Sequence, residues 1–268
     1  MNVKKRQDLT TFYNNQGWTF NGDISLDATL NENLSQVASG YVSSVRNRIK
    51  EHLGSGDILL DIGCGPIQYP EYLEYSEHFG KRLCVDLSSE ALKIAKGKLG
   101  DHGNVIVGDY LELDTTSSSP FGGATLINVL YHCDKDRQEE FVRKILNELS
   151  PKANLVIVYS NPFTFSSIMT GFLVGVKHLF IQMCTGKHRK SLKNPIYFYR
   201  HPITFWKRFG DEARVTKFAW RTFSPQLEKL IFRRKFGGKF LLKILFNVEK
   251  MPIWSYFSEY TLVVLRKI

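Results

Sequence analysis

The sequence predicts an α/β fold in which a largely parallel sheet is covered by helices on both faces. Three observations carry that expectation. Short apolar runs recur without the alternation of a half-exposed strand, apolar residues at helical spacing separate them, and the first run ends in a glycine turn, Gly63-Cys64-Gly65. Strands that are apolar along their whole length need cover on both faces, and the intervening helices supply it.

The elements follow in order. Leu34, Val37, Tyr41, Val42, Val45 and Ile49 fall at helical spacing, so residues 1–53 read as an N-terminal helical cap. Asp57–Ile62 is the first strand and Arg82–Asp86 the second. A helix follows, with Ser88 or Ser89 as N-cap, Leu92, Ile94, Ala95 and Leu99 on its apolar face, and Gly100 at its end. Asn104–Asp109 is the third strand and Ala124–Leu130 the fourth. Asp136-Arg-Gln-Glu139 has the form of a capping box before Phe141, Val142, Ile145, Leu146 and Leu149. Pro151 ends that helix, and Asn154–Tyr159 is the fifth strand. Glu212–Trp220 and Tyr260–Leu265 read as the sixth and seventh.

The chain is expected to form a single domain over 1–268, with residues 54–160 as its core and 161–211 and 222–258 as substrate-side inserts. Ile168, Phe172, Leu173, Val176, Leu179, Phe180 and Met183 predict an amphipathic helix, read as a core helix, a lid or a membrane-surface helix. Hydrophobic residues at 43% and charged residues at 23% exclude a disordered, collagenous or coiled-coil chain. The charge is uneven: residues 1–150 hold 15 basic and 21 acidic residues, a net of −6, whereas 151–268 hold 21 and 5, a net of +16. That split points to an anionic partner near the second part. Cys64, Cys84, Cys133 and Cys184 form no C-x-x-C pair and no cluster of zinc spacing, so no metal is expected. The first residues lack an apolar segment behind their charges, so the expectation is a cytoplasmic protein, with peripheral contact to a membrane as an addition to it.

Glycines at 63 and 65 let the backbone approach a ligand closely, but Gln68 stands where a pyrophosphate-binding turn would carry its third glycine. A nicotinamide-dependent oxidoreductase is therefore disfavoured. Asp86 ends the second strand, where a carboxylate can accept both hydroxyls of a ribose, and Asp109 follows the third, within reach of an adenine amine. Asp61 places a further carboxylate beside the turn. Together they describe a site for a nucleoside without phosphates.

This constellation resembles the class I S-adenosylmethionine-dependent methyltransferases. Leu60-Asp-Ile-Gly-Cys-Gly-Pro66 is similar to the glycine-rich first motif, Cys84-Val-Asp86 to the ribose-binding acid and Gly108-Asp109-Tyr110 to the adenine-side acid. Phe121–His132 resembles the fourth-strand motif and Leu149–Val158 the entry to the fifth strand. Ile67 replaces a frequent third glycine, and Gly122 an acid usual after Phe121. The resemblance implies a Rossmann-like sheet of seven strands, mostly parallel with the last antiparallel. S-adenosylmethionine is then the cofactor and S-adenosylhomocysteine the product. Gly63 and Gly65 would lie against its methionine part with Asp61 near it, and Asp86 on its ribose. Leu87, Asp109, Tyr110 and Asn128 complete the expected cofactor set, with Tyr13 closing over it.

For the transfer itself, His132 is the first candidate base and His201 the second; the plain alternatives are a strand cap and a surface turn residue. Tyr131, Asn161, Phe163 and Tyr199 are expected to border the acceptor. Asn161-Pro162-Phe163 has one proline and follows the fifth strand, so it is not read as a clamp for a flipped base. The acceptor is expected to be a small molecule or a lipid- or glycan-linked intermediate, anionic and methylated at oxygen. The alternatives are an RNA methyltransferase using the basic C-terminal part, where Arg233-Arg-Lys235, Lys239 and Lys243 interleave with Phe232, Phe236, Phe240 and Phe246, and a binding protein without turnover. Lys187-His-Arg-Lys190 and Lys193 read as a solvated loop or a phosphate-binding patch.

Overall fold

In the computed structural model the chain is described at residues 7, 10–14, 18, 20–21, 24–25, 36–167, 197–231 and 238–268. The helix expected around Ile168–Met183 and the basic runs at 187–193 and 233–235 lie outside the described residues. Seven strands build one sheet: β1 (Gly56–Ile62), β2 (Phe79–Asp86), β3 (Gly103–Val107), β4 (Phe121–Ile127), β5 (Leu149–Ser160), β6 (Ala213–Arg221) and β7 (Tyr260–Lys267). Their order across the sheet is β3-β2-β1-β4-β5-β7-β6. The pairs among β1 to β5 are parallel, and β7 runs antiparallel to both β5 and β6. This is the mostly parallel, seven-stranded sheet that the sequence predicts.

The continuous apolar strands are explained by two-sided cover. On one face Tyr41, Val45 and Ile49 of α1 (Gln36–Lys50) pack with Leu59, Val156 and Leu262. On the other, Phe141, Val142 and Ile145 of α3 (Gln138–Glu148) pack with Leu60, Leu126 and Ile157. Neighbours such as Leu59 and Leu60 thus enter opposite cores. Between these helices in sequence, α2 (Ser89–Leu99) buries Leu92 and Ala95 against Ile67 and Cys84. Ser88 Oγ accepts from the Ala91 N–H at 3.1 Å, and Gly100 ends the helix at φ 55°, as the sequence indicates.

The capping box before α3 does not form. Arg137, not Asp136, is the N-cap residue, and no side chain caps the helix. A tight turn carries the chain one residue further before the helix starts, which leaves Glu139 for ion pairs with Arg143 and Arg208.

The last third ties itself to the sheet through buried charge. Arg221 at the end of β6 makes a bidentate pair with Glu228 of α4 (Pro225–Ile231), at 2.6 and 2.7 Å. Glu249, at the end of α5 (Gly238–Glu249), accepts from Arg48 at 2.7 Å and from the Tyr41 hydroxyl at 2.6 Å. Isolated charges are expensive inside a protein, so each of these carboxylates sits with its own guanidinium. Among the described residues, no helix is long and apolar enough to cross a membrane.

Candidate active site

The parallel strands deliver their carboxyl ends to one edge of the sheet, where a cavity of about 550 Å³ opens. Gly63 and Gly65 floor it at φ 66° and 55°, conformations that L side chains adopt at a cost. A Cβ at Gly63 would also collide with the Val129 side chain. Asp86 fastens this turn, because its carboxylate accepts from the N–H groups of Gly65 and Ser88, both at 2.9 Å. Burial raises the Asp86 pKa, and those N–H donors oppose the shift. With Leu87 as a further backbone donor, the carboxylate still keeps accepting capacity that a ribose hydroxyl could use. Asp109 accepts from Leu111 N–H at 3.2 Å. Asn128 sits at φ 60° at the end of β4 and lines the cavity, and its buried Oδ1 has no hydrogen-bond partner among the described residues. Such an atom fits a ligand donor. From the N-terminal segment, Tyr13 and Trp18 stack at 5.1 Å and line the cavity, the indole lying over Gly65.

Several expected residues have other occupations. Asp61 is buried, with Oδ2 held by Arg82 at 2.5 and 3.1 Å and Oδ1 by the Thr125 hydroxyl at 2.6 Å. Its charge is matched inside the protein, so the idea that it offers a cationic ligand an open carboxylate is corrected. Asp61 also comes close to Cys64 and Cys84. A cation there would meet the Arg82 guanidinium, and a bond with Cys84, together with burial, pushes the Cys64 thiol well up. Neither fact suits a metal. Tyr110 borders the cavity, yet its hydroxyl turns into the core to Glu148 at 2.5 Å.

Among the acceptor residues, Tyr131 and His132 line the cavity, on a short turn of 3-10 helix after β4. His132 Nδ1 lies 2.9 Å from the Tyr197 carbonyl. A carbonyl only accepts, so Nδ1 carries the proton and Nε2 keeps the lone pair. Burial lowers the His132 pKa, so the ring is neutral near pH 7. His201, in contrast, is outside the cavity: its Nε2 faces the Lys135 carbonyl at 2.9 Å and its ring stacks on Phe205 at 4.4 Å. Asn161 is spent on the carbonyls of Ser255 and Ser258, and Phe163 is 73% exposed. Tyr199 stacks edge-on against His201, and its backbone N–H donates to Tyr131 O. None of these last three lines the cavity.

Other lining residues went unmarked in the sequence: Trp18, Tyr69, Tyr72, Arg137, Phe198 and Trp220. Gln138 was missed as well. Wholly buried at the start of α3, it donates to the carbonyls of Cys133 and Tyr199 and accepts from Tyr159, fixing both loops beside His132.

Residues 60–157 match a family profile described as a methyltransferase domain. The fold is shared with an N-methyltransferase NodS from Bradyrhizobium japonicum WM9 in complex with S-adenosyl-L-homocysteine, at 12% identity over 98% of both chains and a TM-score of 0.56. It is shared equally with magnesium protoporphyrin IX methyltransferase from Synechocystis PCC 6803 with the same molecule bound. There the identity is 12% over 98% of this chain and 100% of that one, with a TM-score of 0.57. The chain carries a methyltransferase domain over residues 60–157, in a fold shared with S-adenosylmethionine-dependent methyltransferases. A third structure of this fold, a SAM dependent methyltransferase from Archaeoglobus fulgidus, is 15% identical over 85% of this chain and 94% of its own, with a TM-score of 0.52. A search of the curated proteins finds no match. The glycine turn, Asp86 and the orphaned Asn128 oxygen fit the cofactor of such an enzyme.

Proposed function

We propose that this methyltransferase transfers the methyl group to an oxygen of an anionic acceptor, a small molecule or a lipid- or glycan-linked intermediate. The observation that carries the reading is His132, a cavity residue whose Nδ1 bond to the Tyr197 carbonyl fixes the tautomer with a basic Nε2. An amine that enters neutral needs little help, whereas a hydroxyl benefits from a base that takes its proton as the bond forms. When bound, the cofactor supplies a methyl group on a sulfonium, open to in-line displacement. The chain's own work is placement: Gly63, Gly65, Asp86, Leu87, Asp109 and Asn128 would hold the nucleoside and amino-acid parts under Tyr13, and Tyr131 and Phe198 would flank the acceptor beside His132. Arg137 lines the same cavity with its guanidinium paired to Glu140 at 3.0 and 3.1 Å, so an anionic acceptor would meet a cation already held by a carboxylate.

The test is product analysis after labelled methyl transfer into metabolite and lipid extracts. Label in ether or ester linkages, lost on His132→Ala while S-adenosylhomocysteine affinity stays at the parental value, supports the reading. Label on nitrogen, or turnover indifferent to His132→Ala, removes it.

A further inference from the structure

On the described surface, large apolar side chains and lysines stand together around the last 3-10 turn of the chain. The turn Pro252–Tyr256 and its flanks expose Met251, Ile253, Tyr256 and Phe257 by 53, 58, 47 and 40%. Residues 161–165 are clamped beside them, because Asn161 Nδ2 donates to Ser255 and Ser258 and the Phe165 N–H donates to Phe257 O. That clamp presents Phe163. Along α5, Phe240 and Ile244 are exposed four residues apart, with Lys243 and Lys250 exposed next to them. Lys217 lies over the Tyr256 ring at 5.6 Å.

The acids of this part of the chain are withdrawn. Glu228 and Glu249 are buried against Arg221 and Arg48, and Glu259 is half-buried, so no acid after β6 is exposed. The exposed Lys243 and Lys250 therefore have no exposed acid from this part of the chain beside them. We propose that this surface docks on an anionic lipid bilayer, with Phe163, Met251, Ile253 and Phe257 entering the headgroup region and Lys243 and Lys250 meeting lipid phosphates. Aromatic and apolar residues on a short turn, backed by lysines, suit an interface that is half apolar and negatively charged. The turn leads directly into β7, whose first residue, Tyr260, lines the cavity, so docking would bring the acceptor entrance to the membrane. The inference rests on the lipid-linked arm of the acceptor reading only for its purpose, and its surface is independent of the transfer chemistry.

The test is flotation of the full chain with vesicles of phosphatidylcholine alone and of equal parts phosphatidylcholine and phosphatidylglycerol. Binding is expected on the mixed vesicles and should weaken with salt. The double variant Phe163→Glu/Ile253→Glu should lower affinity by about tenfold or more, and Lys243→Glu and Lys250→Glu by roughly fivefold each. These side chains are exposed, so S-adenosylhomocysteine affinity serves as the control for folding and should stay constant. Absence of binding to the mixed vesicles would overturn the proposal, as would binding that all the variants leave intact. So would a dimer that the apolar substitutions break without any lipid binding, since the surface would then be a contact between copies. Vesicle binding with no labelled lipid product keeps the docking and removes the lipid-linked acceptor, which separates the two readings.

Discussion

At the scale of single residues, the site is decided by what each polar group already holds. Asp86 was legible from its place at the end of an apolar strand, but its hold on the Gly65 N–H was not. Asp86→Asn should therefore weaken S-adenosylhomocysteine binding by roughly tenfold to a hundredfold, since hydrogen bonds to a charged group are the stronger kind. Calorimetry reads this, and the same variant should loosen the glycine turn. Gly63→Ala should abolish binding by a steric route, because its φ of 66° and the Val129 side chain leave no room for a methyl group. For His132 the sign of the pH effect follows from burial. Its pKa lies below the usual 6.5, so the basic form persists above that lowered value and is lost as pH falls through it. The acid limb of kcat should therefore lie below pH 6.5 and vanish in His132→Gln. The loss at neutral pH should be about a hundredfold to ten-thousandfold. His201 stood as the second candidate in sequence, because nothing in a Tyr-Arg-His-Pro stretch reveals which carbonyl a ring will face.

At the scale of elements, the first five strands were legible because their apolar runs are nearly continuous, and helix α2 because its cap residues are the usual ones. The exception inside those runs carried information. A charged Asp61 in β1 and a charged Arg82 in β2 can both be buried only as partners, a signal present in the sequence and not used. Asp61→Ala should destabilise the protein by about 3–5 kcal/mol, since it strands the Arg82 guanidinium in the core. Adding Arg82→Met should recover much of that loss, and urea unfolding measures both. The start of α3 was less legible. A capping box is a pattern of four residues, and a turn one residue longer defeats it.

At the scale of the molecule, the sheet order was implied by the motif series, whereas the acceptor side was not. Trp220 and Tyr260 reach the cavity through the pairing of Arg221 with Tyr260, a contact between residues far apart in sequence. No local pattern announces such a meeting. The charge split was visible from the start, and the structure sharpened it by hiding Glu228 and Glu249. Exposed cation content in the last part of the chain is thus higher, relative to exposed acid, than the formal count suggests. Retention on a cation exchanger should accordingly fall sharply in Lys243→Glu/Lys250→Glu.

The placement of β7 between β5 and β6 has a consequence during synthesis. Five strands leave the ribosome able to pair in parallel, with β5 as a provisional border. Strand β6 emerges next but has no neighbour to join, because among the described residues it pairs with the later β7 alone. For the interval between them, β5 presents an open row of backbone donors and acceptors, and the residues of β6 wait unpaired. The protein's exposure to nascent-chain aggregation is set by how quickly some forty residues after β6 follow it out.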